Sequence, residues 1–328
     1  MGTFNSRYVA VKKESAYGTP SGSYKFGELD DESLRHQYEL LTREDMSRYG
    51  AAKSVTGKEY MSGDMNMAML NDDFTALMVL GLMGGNTVSG SGPYVHTFTE
   101  SGTLPSFTFL VSRENKEHLY KGAVVDSISV SASLNEYATV GVSVMGKSED
   151  IGSIAAVGTT SATFPDALPA LYFSNAKVFF NADSTATSMV KSISFDINLN
   201  RDDENACALG STTYTIAPPA QRREISGTIE FNKVVHTAVE SEPTYDQLVT
   251  ADGVELAGSG VELKVQFGDD STADLMTFNF YKIRFEAPEA NVSGRDTNTM
   301  SVGFTALYSP DDNKMMDIVI TNATSGTY

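Results

Sequence analysis

The stretch RREISGTIEF, Arg222–Phe231, reads like an earlier stretch, KEYMSGDMNM, Lys58–Met67. Both place a Ser-Gly pair inside a run of alternating apolar and polar residues, and the two copies begin half a chain length apart. Alternation with a period of two is typical of a β-strand with one buried face. The apolar positions are Met61, Met65 and Met67 in the first run and Ile225, Ile229 and Phe231 in the second. The same unusual strand therefore occurs twice.

Other segments repeat in the same order around these two strands. Arg43-Glu44-Asp45 and Arg201-Asp202-Asp203 each follow an alternating run, and each precedes a loop, a Ser-Gly strand and a helical segment. The later matching strands are FTFLVS and LKVQF, at 107–112 and 263–267, and TVGVSVMG and SVGFTALY, at 139–146 and 301–308. We interpret this repeated order as a tandem duplication of a mainly β domain, and 328 residues suffice for two domains of about 150 residues each.

The composition of the connecting segments predicts the boundaries of these domains. We expect an N-terminal arm over residues 1–33, a first β domain over 34–150, a linker over 151–165 and a second β domain over 166–328. The linker segment contains no charged residue, and the arm is rich in turn-forming residues. We expect the arm and a Gly- and Ser-rich loop over 86–94 to become ordered only on assembly.

Each predicted domain contains one short helix beside its strands. In NDDFTALMVLGLMGG, Asn71 or Asp72 is the expected N-cap and the Gly84-Gly85 pair the end. In SEPTYDQLVTADG, Pro243 suits the first helical turn and Gly253 the end. The expected fold is therefore two β-sandwich or half-barrel domains, each flanked by one short α-helix.

Charge and motifs exclude several classes of function. The chain carries 24 basic and 42 acidic residues, and a net charge of −18 disfavours binding to nucleic acid. A single cysteine, Cys207, allows no intramolecular disulfide. The sequence contains no nucleophile elbow, phosphate-binding loop or zinc-protease motif, and its four histidines are scattered without metal-ligand spacing. We predict no enzymatic activity, no cofactor and no metal.

Two pairs of oppositely charged residues occupy equivalent places in the two copies. These are Arg43 with Asp45 and Arg201 with Asp203. A catalytic pair would not be expected at both places, so we interpret each as a structural ion pair or a turn cap.

The repeated elements resemble those of bacteriophage tail tube proteins. The resemblance rests on VKKESAYGTPSG at 11–22, on the Ser-Gly strand with its glycine-terminated helix, and on SFTFLVSRENKEHLYKGAVVDSISVSASL at 106–134. The second copy, from VKSISFDINLNRDD through RREISGTIEF, is equally similar. The resemblance implies a self-assembling structural subunit, whose sheets join into a closed ring and whose stacked rings form the conduit for genome ejection.

The resemblance also implies partners and a location. The subunit binds copies of itself, and sheath, baseplate and tail-terminator proteins are further expected partners; DNA passes through without being bound. The location is the virion tail, after a stage in the host cytoplasm. One ring is either a trimer with pseudo-sixfold symmetry, which we favour, or a hexamer with the second copy stacked axially or displayed outside. The alternative function is another β-rich virion component, such as a decoration or baseplate-hub protein.

Four acidic residues occupy the polar positions of the strands that would form an inner barrel. They are Asp64, Asp196, Glu224 and Glu230. In a ring, each would be repeated around the bore, where it would repel passing phosphates. We therefore predict that these four acids face the lumen.

Overall fold

The computed structural model describes residues 7–44, 46–47, 49–50, 53–114, 116–153, 164, 169–238, 242–250, 261–268, 274–290 and 298–328. Strands dominate this part of the chain, with two short α-helices, so the predicted mainly β fold with flanking helices is confirmed. We call residues 1–150 the N-terminal half and residues 166–328 the C-terminal half.

The strands follow the predicted periodicities closely. In the first part of the chain they are β1 (Tyr8–Ala16), β2 (Thr19–Pro20), β3 (Lys25–Gly27), β4 (Asp31–Glu32), β5 (Arg35–Arg43), β6 (Lys53–Ala68), β7 (Gly84–Ser89), β8 (Tyr94–Glu100), β9 (Phe107–Arg113), β10 (Lys116–Ser133), β11 (Thr139–Gly146) and β12 (Ser148–Ser153). In the C-terminal half they are β13 (Ala176–Phe180), β14 (Val190–Asn198), β15 (Glu224–Phe231), β16 (Val261–Gly268), β17 (Leu275–Phe285), β18 (Met300–Ala306) and β19 (Met316–Asn322). The helices are α1 (Asp73–Met83) and α2 (Tyr245–Thr250).

Eight antiparallel strands form one continuous sheet, which we call the inner sheet. The N-terminal half contributes them in the order β5–β6–β11–β10. The C-terminal half contributes β14–β15–β18–β17. β10 pairs with β14, so the two sets lie side by side. Each set contains equivalent strands in the same order, which agrees with the repeat in the sequence.

A second layer of strands lies over each set of four. β1, β9, β10 and β12 are paired in that order in the N-terminal half, and β13, β16, β17 and β19 in the C-terminal half. β10 and β17 are long enough to run through both layers. The C-terminal half also receives a hairpin from the N-terminal half, because β8 pairs with β19 and β7 pairs with β8. The main hydrophobic core contains residues from both halves.

Helix α1 begins and ends where its capping residues predict. The Asp72 carboxylate accepts a hydrogen bond from the Thr75 N–H at 2.8 Å, and the chain turns at Gly84 with a φ of 85°. All residues of the helix after Asp73 are buried. Burial raises the pKa of Asp72 to about 6, against the lowering effect of the hydrogen bonds from Thr75.

Helix α2 begins close to the residue that the sequence predicts. It begins at Tyr245, two residues after Pro243, and Gly253 lies outside the described residues. Thr244 and Gln247 form a reciprocal cap: Gln247 Nα donates to Thr244 Oγ1 at 3.3 Å and Thr244 Nα donates to Gln247 Oε1 at 2.9 Å. The start of the helix is therefore set by this cap.

The segment over residues 1–33, expected to form an N-terminal arm, contributes strands to the sheets in its described part. β1 pairs with β9 and β3, and its residues Val9, Ala10 and Val11 are buried. β1 occupies the position beside β9 that β13 occupies beside β16. β1 and β13 thus hold equivalent places in the second layers of the two halves.

Two other segments expected to be flexible are partly built into sheets. Residues 84–89 form β7, which pairs with β8, so the expected loop at 86–94 is a hairpin. Residues 151–153 of the expected linker belong to β12. Of the remaining linker, the structure describes Phe164, whose ring lies 5.9 Å from that of Phe26.

Candidate functional site

The two halves meet in the inner sheet at a junction between β10 and β14. β10 and β14 pair in antiparallel register from Ser127 opposite Asn198 to Ser133 opposite Ser192. The Leu199 N–H extends the ladder by donating to the carbonyl oxygen of Asp126 at 2.9 Å. One half thus binds the other by adding its edge strand to the neighbouring sheet.

Arg201, just after β14, binds the N-terminal half across this junction. Its Nε donates to the carbonyl oxygen of Val125 at 2.6 Å, and its main-chain N–H donates to the Asp126 carboxylate at 3.1 Å. Its Nη1 donates to the carbonyl oxygen of Pro218 at 2.6 Å. Burial lowers the pKa of Arg201 to about 10, against the raising effect of the Asp126 charge. The guanidinium therefore stays charged at neutral pH and joins three segments.

Asp203 pairs with Lys58, whereas its place in the repeated sequence suggested Arg201 as its partner. Its carboxylate forms an ion pair with Lys58 of β6, whose ammonium lies 5.4 Å from the ring centroid of Tyr214. Burial disfavours the charge on Lys58, but the hydrogen bond and charge of Asp203 outweigh it and raise the pKa of the lysine. The Glu59 N–H also donates to the carbonyl oxygen of Thr212 at 2.6 Å. The segment after β14 is thereby attached to β6 of the other half.

The equivalent pair in the N-terminal half is described only in part. Arg43 is the exposed last residue of β5, and Asp45 lies outside the described residues. The interpretation of this pair as a turn cap or an ion pair stays a prediction.

The four acids singled out from the sequence share one face of the inner sheet. Directly paired residues of antiparallel strands project to the same face. One row of such pairs runs across five strands and consists of Asp64, Ser143, Ser127, Asn198 and Glu224. Asp196 lies opposite Ser129, and Glu230 lies opposite Ser192. These two pairs belong to two further rows of the same face. We call this surface the polar face; the opposite face carries the buried core residues.

The acids on the polar face differ in exposure and in contacts. Asp64, Asp196 and Glu224 are exposed, and Asp64 accepts a hydrogen bond from Ser143. Glu230 is half-buried, and the hydrogen bond from Lys191, at 2.8 Å, lowers its pKa. Among the described residues, no cluster of histidine, cysteine and carboxylate groups could hold a metal ion.

Comparison with known proteins identifies the family. A family model described as phage tail tube protein matches residues 5–306. The chain belongs to the phage tail tube protein family. No curated protein matches the chain.

Membership of this family makes the chain a structural component of a phage tail, which assembles into a tube and contacts other tail proteins. The predicted family, fold class and structural function are thus confirmed, and the role of the family is not enzymatic. None of the helices among the described residues has the length and apolar character needed to cross a bilayer.

In a tail tube protein, the outermost strands of the inner sheet are of special interest. Within the described residues, β5 pairs with β6 along one of its two edges. At the other end of the sheet, the residues that follow Ile283 pair with β18, and the Glu286 N–H donates to the carbonyl oxygen of Gly303 at 2.7 Å. The β5–β6 hairpin also exposes four large apolar side chains, those of Tyr38, Leu40, Leu41 and Val55. Edge strands of this kind readily pair with another chain.

Sequence reasoning missed two residues that connect the halves, Lys58 and Arg223. Arg223 donates to Glu100 at 2.6 Å and to the carbonyl oxygen of Leu82 at 2.8 Å, and so connects β15 to the N-terminal half. Lys58 opens the first repeated stretch and matches Arg222 in the second, so the retained positive charge was a usable signal. Its partner, however, could be found only from the fold.

Proposed function

We propose that three chains of this tail tube protein close one ring with pseudo-sixfold symmetry. The observation that carries the proposal is the β10–β14 junction, which places two equivalent sets of four strands side by side in one sheet. Side-by-side sets fill two adjacent positions of a six-position ring. A hexamer with the second set stacked axially would instead need the two sets to lie along the tube axis.

The ring closes by repeating the same kind of junction between chains. The free edge of β5 in one chain pairs with the segment that follows Ile283 in the preceding chain. This assignment is supported by the position of β5, which is the N-terminal equivalent of β14, and by the position of β17, which is the equivalent of β10. Closure would remove both sheet edges and cover part of the exposed apolar surface of the hairpin.

The polar face lines the bore in this arrangement. The support is that the opposite face is buried under the second layer of strands and α1, which leaves the face with Asp64, Asp196, Glu224 and Glu230 open to water. Rings of acids repel the DNA phosphates within a Debye length of about 8–10 Å.

The mass of a single assembled ring tests the proposal. With a chain of 35.3 kDa, three chains give about 106 kDa and six give about 212 kDa. We expect the smaller value by native mass spectrometry of rings, and hollow rings by negative-stain microscopy. A ring of six chains would contradict the trimer, and a protein that remains monomeric would favour a decoration or baseplate-hub role.

A pair of tyrosine variants tests whether the ring closes through the edge strand β5. Tyr38 in β5 is 59% exposed, so Tyr38→Lys should leave the monomer folded while it weakens ring closure, because lysine opposes pairing at an edge strand. Tyr137, 62% exposed and located between β10 and β11, provides the matched control. Equal ring yields from the two variants would argue against closure through β5.

A further inference from the structure

One leucine of the segment that connects β14 to β15 is presented directly to solvent. Leu209 is fully exposed. It is the second residue of a tight turn, in which the Ser211 N–H donates to the carbonyl oxygen of Ala208 at 3.2 Å and Gly210 has a φ of 92°. Glycine with a positive φ at the third residue is typical of a type II turn. The turn therefore holds Leu209 outward in a defined position.

The base of the same segment is attached to the folded domain. Tyr214 is buried, and its ring stacks on that of Tyr60 in β6 with the ring centroids 6.2 Å apart. The Thr215 N–H donates to the carbonyl oxygen of Ala206 at 2.9 Å and so joins the two ends of the turn region. Because these contacts fix the segment before any partner binds, burying Leu209 would cost little conformational entropy.

An apolar recess of about 70 Å³ lies at the opposite end of the inner sheet. It is located where β10 ends and β14 begins, and its lining includes Leu134, Phe173, Val178, Val190 and Ile193. Leu134 and Phe173 are also exposed to solvent. The nine residues of β14 rise by about 3.3 Å each, so the two ends of this strand lie about 26 Å apart. The recess precedes β14, and the turn with Leu209 follows it.

Both surfaces belong to uncharged stretches of a strongly acidic chain. Residues 205–221, which include Leu209, contain no Asp, Glu, Lys or Arg, and neither do residues 169–176, which include Phe173. Lys191 also lines the recess, but it is engaged in an ion pair with Glu230 at 2.8 Å. Copies with a net charge of −18 repel one another, so uncharged surfaces are the places where they can approach most closely.

We infer that Leu209 of one chain inserts into the recess beside Leu134 and Phe173 of a second copy in the adjoining ring. A tube grows along its axis by repeating a contact between two different surfaces, because a self-complementary contact would close after one pair. The turn and the recess are two such surfaces, and they lie at opposite ends of the same strand. The inference concerns the contact between rings, and it rests on the proposed function for the ring itself.

A charged substitution at the turn tests the contact. Leu209→Asp should raise the protein concentration needed for half-assembly of tubes at least about tenfold, because a carboxylate would lose its hydration in an apolar recess. Single rings should still form with the mass of the unsubstituted ring, since ring closure uses the sheet edges. Val249→Asp, at an exposed position of α2, is the control and should form tubes normally. Native mass spectrometry measures the rings, and negative-stain microscopy measures the tubes.

Disulfide cross-linking tests which surfaces meet. Tubes of a chain with the substitutions Cys207→Ala, Leu209→Cys and Leu134→Cys should yield covalently linked chains on oxidation. Dispersed rings of the same chain should yield none. Within one chain the two positions lie at opposite ends of β14, far beyond the Cα separation of about 4.4–6.8 Å that a disulfide requires. Electrophoresis without reductant measures the linked chains.

Each outcome has a separate meaning, provided that thermal unfolding of the unassembled variants matches that of the unsubstituted chain. Normal tubes from Leu209→Asp would overturn the contact and leave the trimeric ring intact. Loss of single rings from Leu209→Asp would overturn it as well, because Leu209 would then act in ring closure. Oxidised tubes without linked chains would also contradict it. Absence of rings from the unsubstituted chain would overturn the proposed function and this inference with it.

Discussion

Gly63 and Gly227, the glycines of the two repeated Ser-Gly pairs, are required by space and not by an unusual φ. A Cβ atom on Gly63 would lie 2.6 Å from the carbonyl oxygen of Ser33, and one on Gly227 would lie 2.5 Å from that of Ser194. Main-chain atoms at that distance cannot rotate away as a side chain can. In both halves the neighbouring main chain thus approaches the glycine of the Ser-Gly pair too closely to leave room for a Cβ atom.

Gly227→Ala should therefore destabilise the monomer by about 1–3 kcal/mol, the usual cost of overpacking a well-packed site. The free energy of unfolding from denaturant titration measures the effect. Gly102→Ala is the control, because a Cβ there would meet nothing within 4 Å. An unchanged unfolding midpoint for Gly227→Ala would show that the strands can separate at no cost.

At the scale of elements, β1 is attached to the sandwich by a buried carboxylate. Glu14 accepts hydrogen bonds from Ser106 Oγ and Thr108 Oγ1, both at 2.6 Å, and from the main-chain N–H groups of Gly122 at 2.8 Å and Gly18 at 2.7 Å. This one side chain therefore accepts hydrogen bonds from Ser106 just before β9, from Thr108 on β9, from Gly122 in β10 and from Gly18 in the turn after β1. This network explains why β1 is part of the folded domain.

Glu14→Ala should lower the free energy of unfolding by about 3 kcal/mol, because several buried donors would lose their acceptor. The melting temperature of the unassembled protein should fall accordingly. Glu136→Ala, at an exposed position between β10 and β11, should have little effect. Equal melting temperatures for the two variants would show that the attachment of β1 through Glu14 does not stabilise the folded domain.

At the scale of the whole molecule, the polar face extends without interruption across the junction between the halves. One row of paired residues on this face runs from Asp64 of β6 to Glu224 of β15 through three intervening polar residues. A surface that is continuous within the chain would be continuous around a ring closed by the same type of junction. The proposed lumen follows from this continuity.

Replacing Asp64, Asp196 and Glu230 by lysine in assembled particles should slow genome release at low salt. The added cations would attract phosphates, and higher salt should relieve the effect because it screens that attraction. The time course of DNA release from particles measures it. The control replaces three exposed acids outside the polar-face rows, Glu136, Glu204 and Asp311. Unaltered release at every salt concentration would place the three lumen candidates outside the bore.

The sequence by itself determined the local elements and their faces. The alternation in the stretch 192–200 predicts β14 to within two residues at each end, and Asp72 and Gly84 fix the ends of α1. These features depend on the side-chain period and on capping groups within a few residues of one another. The order of the repeated segments also predicted that both halves would contribute equivalent strands.

Only the tertiary structure decided which distant segments meet. The pairing of β10 with β14, the docking of β1 and the partners of Arg201 and Asp203 join residues far apart in the chain. An edge strand offers the same row of main-chain donors and acceptors to any partner, so its local sequence does not name that partner. The choice depends on which edges the packed core brings together, and that is a property of the whole fold.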